Sequence, residues 1–234
     1  MKSSLLDQLL RDRRDKRPVV LATTLPTGEQ QLLYPHEPAP DGASPALFDA
    51  ARTAALRDKS ATVDLEGASV FLSPFNPPLR LAIVGAVHVA QPLSQMAALA
   101  GFEVTVIDPR AAFSTEERFP GVARVLTWPD KALAELAIDR RTAVVTLTHD
   151  PKLDDPALQT ALRSDAFYVG CLGSGKTHAS RVERLKKRGF TDPEIARLFG
   201  PVGLRIGART PAEIAVSILA QIIEQLRQDR GQGA

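Results

Sequence analysis

From Leu79 to Arg188 the sequence alternates short, mainly apolar runs with amphipathic stretches. "LRLAIVGA" (79–86) precedes a helical pattern from His88 to Ala100, "FEVTVID" (102–108) a loop, and "ARVLTW" (123–128) a short helix. "TAVVTLTHD" (142–150) precedes a helix from Pro156 to Arg163, and "DAFYVG" (165–170) a helix from Lys176 to Arg188. A strand that is apolar on successive residues must be covered on both faces, and helices between such strands supply the cover. The pattern predicts an α/β domain over residues 79–230, with a doubly wound, mainly parallel, Rossmann-like sheet. Two more helices follow, opened by the capping boxes Thr191-x-x-Glu194 and Thr210-Pro211-Ala212-Glu213. The last one places Ile214, Ile218, Ile222 and Leu226 on one face, expected to pack on the sheet or to form a homodimer with a second copy.

Residues 1–78 read as a small N-terminal α+β segment. Leu5, Leu6, Leu9 and Leu10 have helical spacing, and "RDRRDKR" after them reads as a solvated helix end. "PVVLATTL" (18–25) and "QQLLY" (30–34) read as strands joined through the turn at Thr27-Gly28. A proline-rich loop, a helix over 46–57 and the strand "ASVFLSPF" (68–75) lead to a boundary at "NPPLR".

The charge balance narrows the partners. A net charge of +2 gives no basic field for nucleic acid. Charges or prolines interrupt every apolar run before it reaches membrane-spanning length. The stretch "MKSSLLDQLLRDRRDKRP" lacks the apolar core of a secretion signal, and the single cysteine, Cys171, excludes an internal disulfide framework. These features point to a cytoplasmic protein without a membrane or nucleic-acid partner.

In an open parallel sheet, ligands bind beyond the carboxyl ends of the strands, where the strand order reverses. Gly85 and His88 follow the first apolar strand; Asp108 and Arg110 follow the second. Thr148, His149 and Asp150 follow the fourth, and Gly170, Gly173, Ser174, Thr177 and His178 the fifth. Three of the four histidines fall at this one edge, which predicts a shared binding site with His88 and His149 facing one crevice. Within it, "GAVHVA" fits a dinucleotide fingerprint at Gly85 and Ala90, and Asp108 fits the ribose-binding acid. Val87 replaces the second glycine, so an NAD(P)-dependent oxidoreductase and a tight turn without a dinucleotide both stand. A metal-dependent enzyme using His88, His149 and Asp150 or His178 is a third reading; no H-x-x-x-H pair accompanies it.

Gly170-x-x-x-x-Gly175-Lys176-Thr177 has the spelling of a phosphate-binding P-loop. A P-loop takes its magnesium-binding aspartate from a strand normally later in the chain, whereas Asp108 and Asp150 both come earlier. The alternatives are a nest of backbone N–H groups at a helix N-terminus, suited to an anion, and a structural turn. Cys171 reads as a buried structural cysteine.

The stretches "LRLAIVGAVHVAQPLSQMAALAGFEVTVIDPR", "TAVVTLTHDPKLDDPAL", "YVGCLGSGKTHASRVERL" and "PVGLRIGARTPAEIAVSILAQII" resemble, in order, the Rossmann-like domain of the XdhC/CoxI family. These are accessory proteins in the maturation of molybdenum hydroxylases. The resemblance implies a non-catalytic chaperone that binds the molybdenum cofactor (molybdopterin or its dinucleotide form) as cargo. It would shield the cofactor while the sulfido ligand is installed and hand it to the hydroxylase apoenzyme, of xanthine dehydrogenase or carbon monoxide dehydrogenase type. Carried over by position, the cofactor site comprises the strand-end residues above together with Arg209. The family loops usually read "GAGHVA" and "YVGALGSRRTHA", so the P-loop spelling looks like local drift. The family's N-terminal domain commonly brings a glycine-flanked cysteine, and no cysteine precedes Cys171 here. The resemblance therefore implies a shortened paralogue that works beside a longer one, with a cysteine desulfurase as a further partner.

Overall fold

The computed structural model describes residues 2–65 and 67–228; the domain limit expected at residue 230 lies outside them. Contacts divide the chain into two compact units that meet in sequence at Pro77 and Pro78.

The first unit runs α1 (Ser3–Arg14), β1 (Val19–Thr24), β2 (Gln30–Leu33), α2 (Pro45–Arg57), β3 (Ala61–Leu65) and β4 (Ala68–Phe75). Its strands form an antiparallel sheet in the order β2-β1-β4-β3. Phe48, Ala51, Ala54 and Ala55 of α2 pack with Val20, Ala22, Leu33 and Leu72 of the strands. The sequence reading omits β3, whose five residues alternate apolar and polar (Ala61, Val63 and Leu65 against Thr62 and Asp64) but are few and largely exposed; it pairs with β4. The charge run is also not wholly solvated. Asp12 is buried, accepts hydrogen bonds from Tyr34 Oη (3.0 Å) and Gln8 Nε2 (3.0 Å), and pairs with Arg17.

The second unit runs β5 (Leu79–Val84), α3 (Ala90–Leu99), β6 (Phe102–Ile107), β7 (Ala123–Val125), α4 (Pro129–Glu135) and β8 (Thr142–Thr146). It continues with α5 (Pro151–Leu162), β9 (Tyr168–Cys171), α6 (Gly175–Lys187), α7 (Asp192–Ala196), β10 (Leu198–Phe199) and α8 (Pro211–Gln228). The six strands are parallel and ordered β10-β9-β8-β5-β6-β7. The chain starts in the middle, winds outward to β7, returns to β8 and winds the other way. The reversal between β5 and β8 is the topological switch point of a Rossmann sheet. Successive side chains of β5 point to opposite faces. Leu81 and Ile83 join Leu93 of α3 and Ile218 and Ile222 of α8 in one core. Ala82 and Val84 join Leu158 and Leu162 of α5 and Leu185 of α6 in the other.

That packing corrects one expectation. Ile218, Ile222 and Leu226 are buried in the chain's own core, with Ile214 against it, so this stripe is not the face of a homodimer. One boundary also shifts, and one short strand is added. α5 starts at Pro151 rather than Pro156, because the Asp150 carboxylate caps it by accepting the Lys152 N–H at 2.9 Å. Pro156 then sits inside the helix and forgoes one backbone hydrogen bond. β10 has only two residues, too short to read from sequence. Among the described residues, no helix is long and apolar enough to cross a membrane.

Gly85, at the end of β5, has φ 108°, and a Cβ there would overlap the γ-methyl of Thr148. Gly101 has φ 89° with open space around it, so alanine there reports strain alone. We expect Gly85→Ala to destabilise the protein by about 2–4 kcal/mol, strain plus overlap, and more than Gly101→Ala, as read from urea unfolding midpoints.

Candidate functional site

The turn after β5 and the end of β6 are joined through Asp108, which is fully buried. Its Oδ2 accepts the Ala86 N–H at 2.8 Å and Arg110 Nη2 at 2.7 Å; its Oδ1 accepts the Arg110 N–H and Nε, both at 2.9 Å. Burial pushes this carboxyl up, but the Arg110 side chain and the two backbone N–H groups outweigh it and hold it below the ordinary carboxylate range. The Arg110 guanidinium also lies over the Phe113 ring, 4.7 Å from its centroid. Arg118 donates to the Phe113 carbonyl at 2.6 Å. With the Gln91 amide turned to accept, Arg118 ties that loop to α3 as well. Ala86, Val87, His88, Arg110, Phe113 and Arg118 line a cavity of about 140 Å³.

The second corner lies at the ends of β8 and β9. Thr148 Oγ1 donates to Asp154 Oδ1 at 2.6 Å and accepts the Asp150 N–H at 3.1 Å. His149 is exposed, with φ 62°. Beneath the turn Arg181 and Asp154, 2% and 1% exposed, face each other at 3.6 Å. Arg181 Nη1 lies 3.0 Å from Cys171 Sγ, and Nη2 donates to the Leu172 carbonyl at 3.1 Å. Burial raises the Asp154 carboxyl above its ordinary range, against the Thr148 hydrogen bond and the Arg181 charge. Burial likewise pushes the Cys171 thiol up to about 11, partly countered by Arg181. His178 Nδ1 is 4.0 Å from that sulfur, and burial together with Arg181 lowers its basicity.

The loop after β9 is shaped by packing. Gly170 sits in β9 with Tyr168 and Val202 filling the space a Cβ would need, and Gly173 is crowded by Thr177. Ser174 caps α6, its Oγ accepting the Thr177 N–H at 3.2 Å and lying 3.0 Å from Thr177 Oγ1. Lys176 is exposed.

The switch point therefore gathers Gly85, His88, Asp108, Arg110, Thr148, His149 and Asp150. β5 and β8 are paired, Gly85 abuts Thr148, and Arg110 senses the charges of Asp150 and Asp154. Gly170, Gly173, Ser174, Thr177 and His178 follow on the next strand over, through β8–β9 pairing. Arg209 lies just before α8, exposed, where its backbone N–H donates to Glu213 at 2.7 Å. The described residues hold no group of three or more His, Cys, Asp or Glu side chains that could converge on a metal ion. Sequence reasoning missed Asp154 and Arg181. The available signal was an arginine on the core-facing stripe of α6, one turn before the buried Leu185.

Removing one partner of a buried ion pair strands the other charge. Arg181→Met is expected to cost about 3–5 kcal/mol, with the double variant Arg181→Met/Asp154→Leu recovering part of it. Urea unfolding of both variants checks this.

The model of the XdhC Rossmann domain family matches residues 81–222. The chain is 36% identical over 157 residues to a probable xanthine dehydrogenase subunit of Bacillus subtilis, a match covering 67% of this chain and 46% of that one. It is 33% identical over 148 residues to the molybdenum cofactor insertion chaperone PaoD of Escherichia coli, covering 63% and 40%. It is 35% identical over 156 residues to the uncharacterized E. coli protein YqeB, covering 67% and 29%. Each match spans less than half the length of these relatives. The crystal structure of a xanthine dehydrogenase from Bacillus halodurans superposes with a TM-score of 0.69 at 26% identity, over 98% of this chain and 66% of that one. With its Rossmann domain matched over residues 81–222 in a sheet of that topology, the chain belongs to the XdhC family.

Proposed function

We propose that this chain is an accessory protein that binds the molybdenum cofactor and assists its maturation and insertion into a molybdenum hydroxylase of xanthine dehydrogenase or carbon monoxide dehydrogenase type. The observation that carries this reading is the match to a relative named as a molybdenum cofactor insertion chaperone, over the domain that builds the switch-point crevice. The chemistry of the crevice is compatible with an anionic cargo. Its carboxylates are engaged: Asp108 with Arg110 and Ala86, Asp154 with Thr148 and Arg181, and Asp150 as a helix cap. Its only thiol is buried and held protonated. What faces outward is Arg110, the exposed His88 and His149, and the N-terminus of α6.

In this reading the cofactor's anionic tail is received by Arg110 and by the N–H groups of Gly175 and Lys176 in the first turn of α6, the Thr177 N–H being taken by Ser174. His88 and His149 border the rest of the cargo as hydrogen-bonding groups. The hydroxylase apoenzyme is the recipient, and a cysteine desulfurase or a longer family member supplies functions outside this chain.

Protein purified from a host that makes the cofactor is expected to carry pterin fluorescence and molybdenum; neither, under replete conditions, would count against the proposal. Lys176→Ala is expected to weaken cofactor retention by less than about tenfold, since tenfold needs about 1.4 kcal/mol and an exposed charge supplies less. The wild-type protein should show no magnesium-dependent ATP or GTP hydrolysis. Turnover that vanishes in Lys176→Ala would restore the P-loop reading.

A further inference from the structure

The Asp108–Arg110 corner differs from a dinucleotide site in two independent ways. In such sites the acid at the end of the second strand accepts a ribose hydroxyl, and the second glycine of the turn lets the backbone reach the pyrophosphate. Here both Asp108 oxygens are occupied, by four donors, and the side chain is fully buried. The second glycine is Val87, whose side chain packs against the core and also lines the cavity. A ribose has no acceptor left to meet, and a pyrophosphate has no bare backbone to lie on.

The same contacts prepare Arg110 for another ligand. Its Nε and Nη2 are held by Asp108, and its guanidinium is braced on Phe113. Among the described residues Nη1 makes no hydrogen bond, and Arg110 lines the cavity with a side chain 41% exposed. Arg118, across the same cavity, is spent on the Phe113 carbonyl. A guanidinium fixed on one edge and one face, with its remaining edge free, is preorganised to receive an oxyanion at little further entropic cost.

We infer that Arg110 receives the terminal phosphate of a phosphate ester through its Nη1 edge, and that the contacts fixing it bar a dinucleotide bound through Asp108 and the first turn. This rests on the cofactor-chaperone reading and deepens it: the crevice takes the cargo by a phosphate terminus at the β6 end, with the body of the ester running past His88.

Titration with ribose 5-phosphate, NADH and NADPH, followed by NMR of arginine side-chain resonances, tests it. Ribose 5-phosphate is expected to shift the Arg110 resonances and saturate, NADH to leave them unchanged, and NADPH to bind no tighter than ribose 5-phosphate. Asp108→Asn/Arg110→Gln replaces the ion pair by a neutral amide pair, and should weaken ribose 5-phosphate at least tenfold with the circular dichroism unchanged. Phe113→Ala, at a half-exposed ring, should weaken it two- to fivefold. If the double variant fails to fold, the Arg110 resonances of the wild type and the Phe113→Ala titration decide. Unmoved Arg110 resonances, unchanged affinity in a folded double variant, or NADH or NADPH binding tighter than ribose 5-phosphate would overturn the inference. Pterin retained at wild-type level in the double variant would overturn it and leave the chaperone function standing. Phosphate-ester binding through Arg110 in a protein that never carries pterin would do the reverse.

Discussion

A sheet buried on both faces has nowhere to put polarity except its ends. Each residue of β8 and β9 is buried, as are the last four of β5. Every hydrogen-bonding side chain the domain needs for function must therefore emerge where these strands stop. The strand order makes two neighbouring strands, β5 and β8, run toward the same end while their connections depart in opposite directions. The crevice follows from that winding, before any particular side chain is chosen.

The two corners of the crevice use buried charge differently. At β5–β6 a buried aspartate meets an arginine that reaches solvent, so the pair holds the turn and still presents a cation. At β8–β9 both members are buried, leaving Arg181 Nε and Asp154 Oδ2 without hydrogen-bond partners. A buried pair of this kind gives little net stability and a strong geometric preference. It fixes the Thr148 turn to the Leu172 turn through one guanidinium and one carboxylate. The first corner leaves a braced cation open to solvent, while the second keeps two loops in register.

The sheet was legible because β5, β6, β8 and β9 are mainly apolar and separated by helical stretches, a pattern with few physical solutions. The two-residue β10 and the short, largely exposed β3 were not, since so few residues carry little pattern of their own and the pairing with a neighbour defines each strand. Strand-end position located most of the polar residues around the crevice, but not what they do. Asp108 fits the ribose-binding acid of one alternative by position, and Asp150 a ligand group; in the structure the first braces the turn after β5 and the second caps α5. Hydrogen-bond partners depend on side-chain direction, which spacing does not carry. The isoleucine stripe of α8 shows the same limit: periodicity reveals that a face is apolar, while the covering partner is a matter of tertiary packing.

The buried thiol has a practical consequence. Cys171 is fully enclosed, with Gly200 pressed against both it and His178, and its proton is held well above neutral pH. A thiol in that state reacts with an alkylating agent only when the β9–α6 region opens. As the sole cysteine in the chain, it is a native clock for that opening. Its labelling rate, compared with and without a bound ligand, would measure how far occupancy of the crevice stiffens the loops above the sheet.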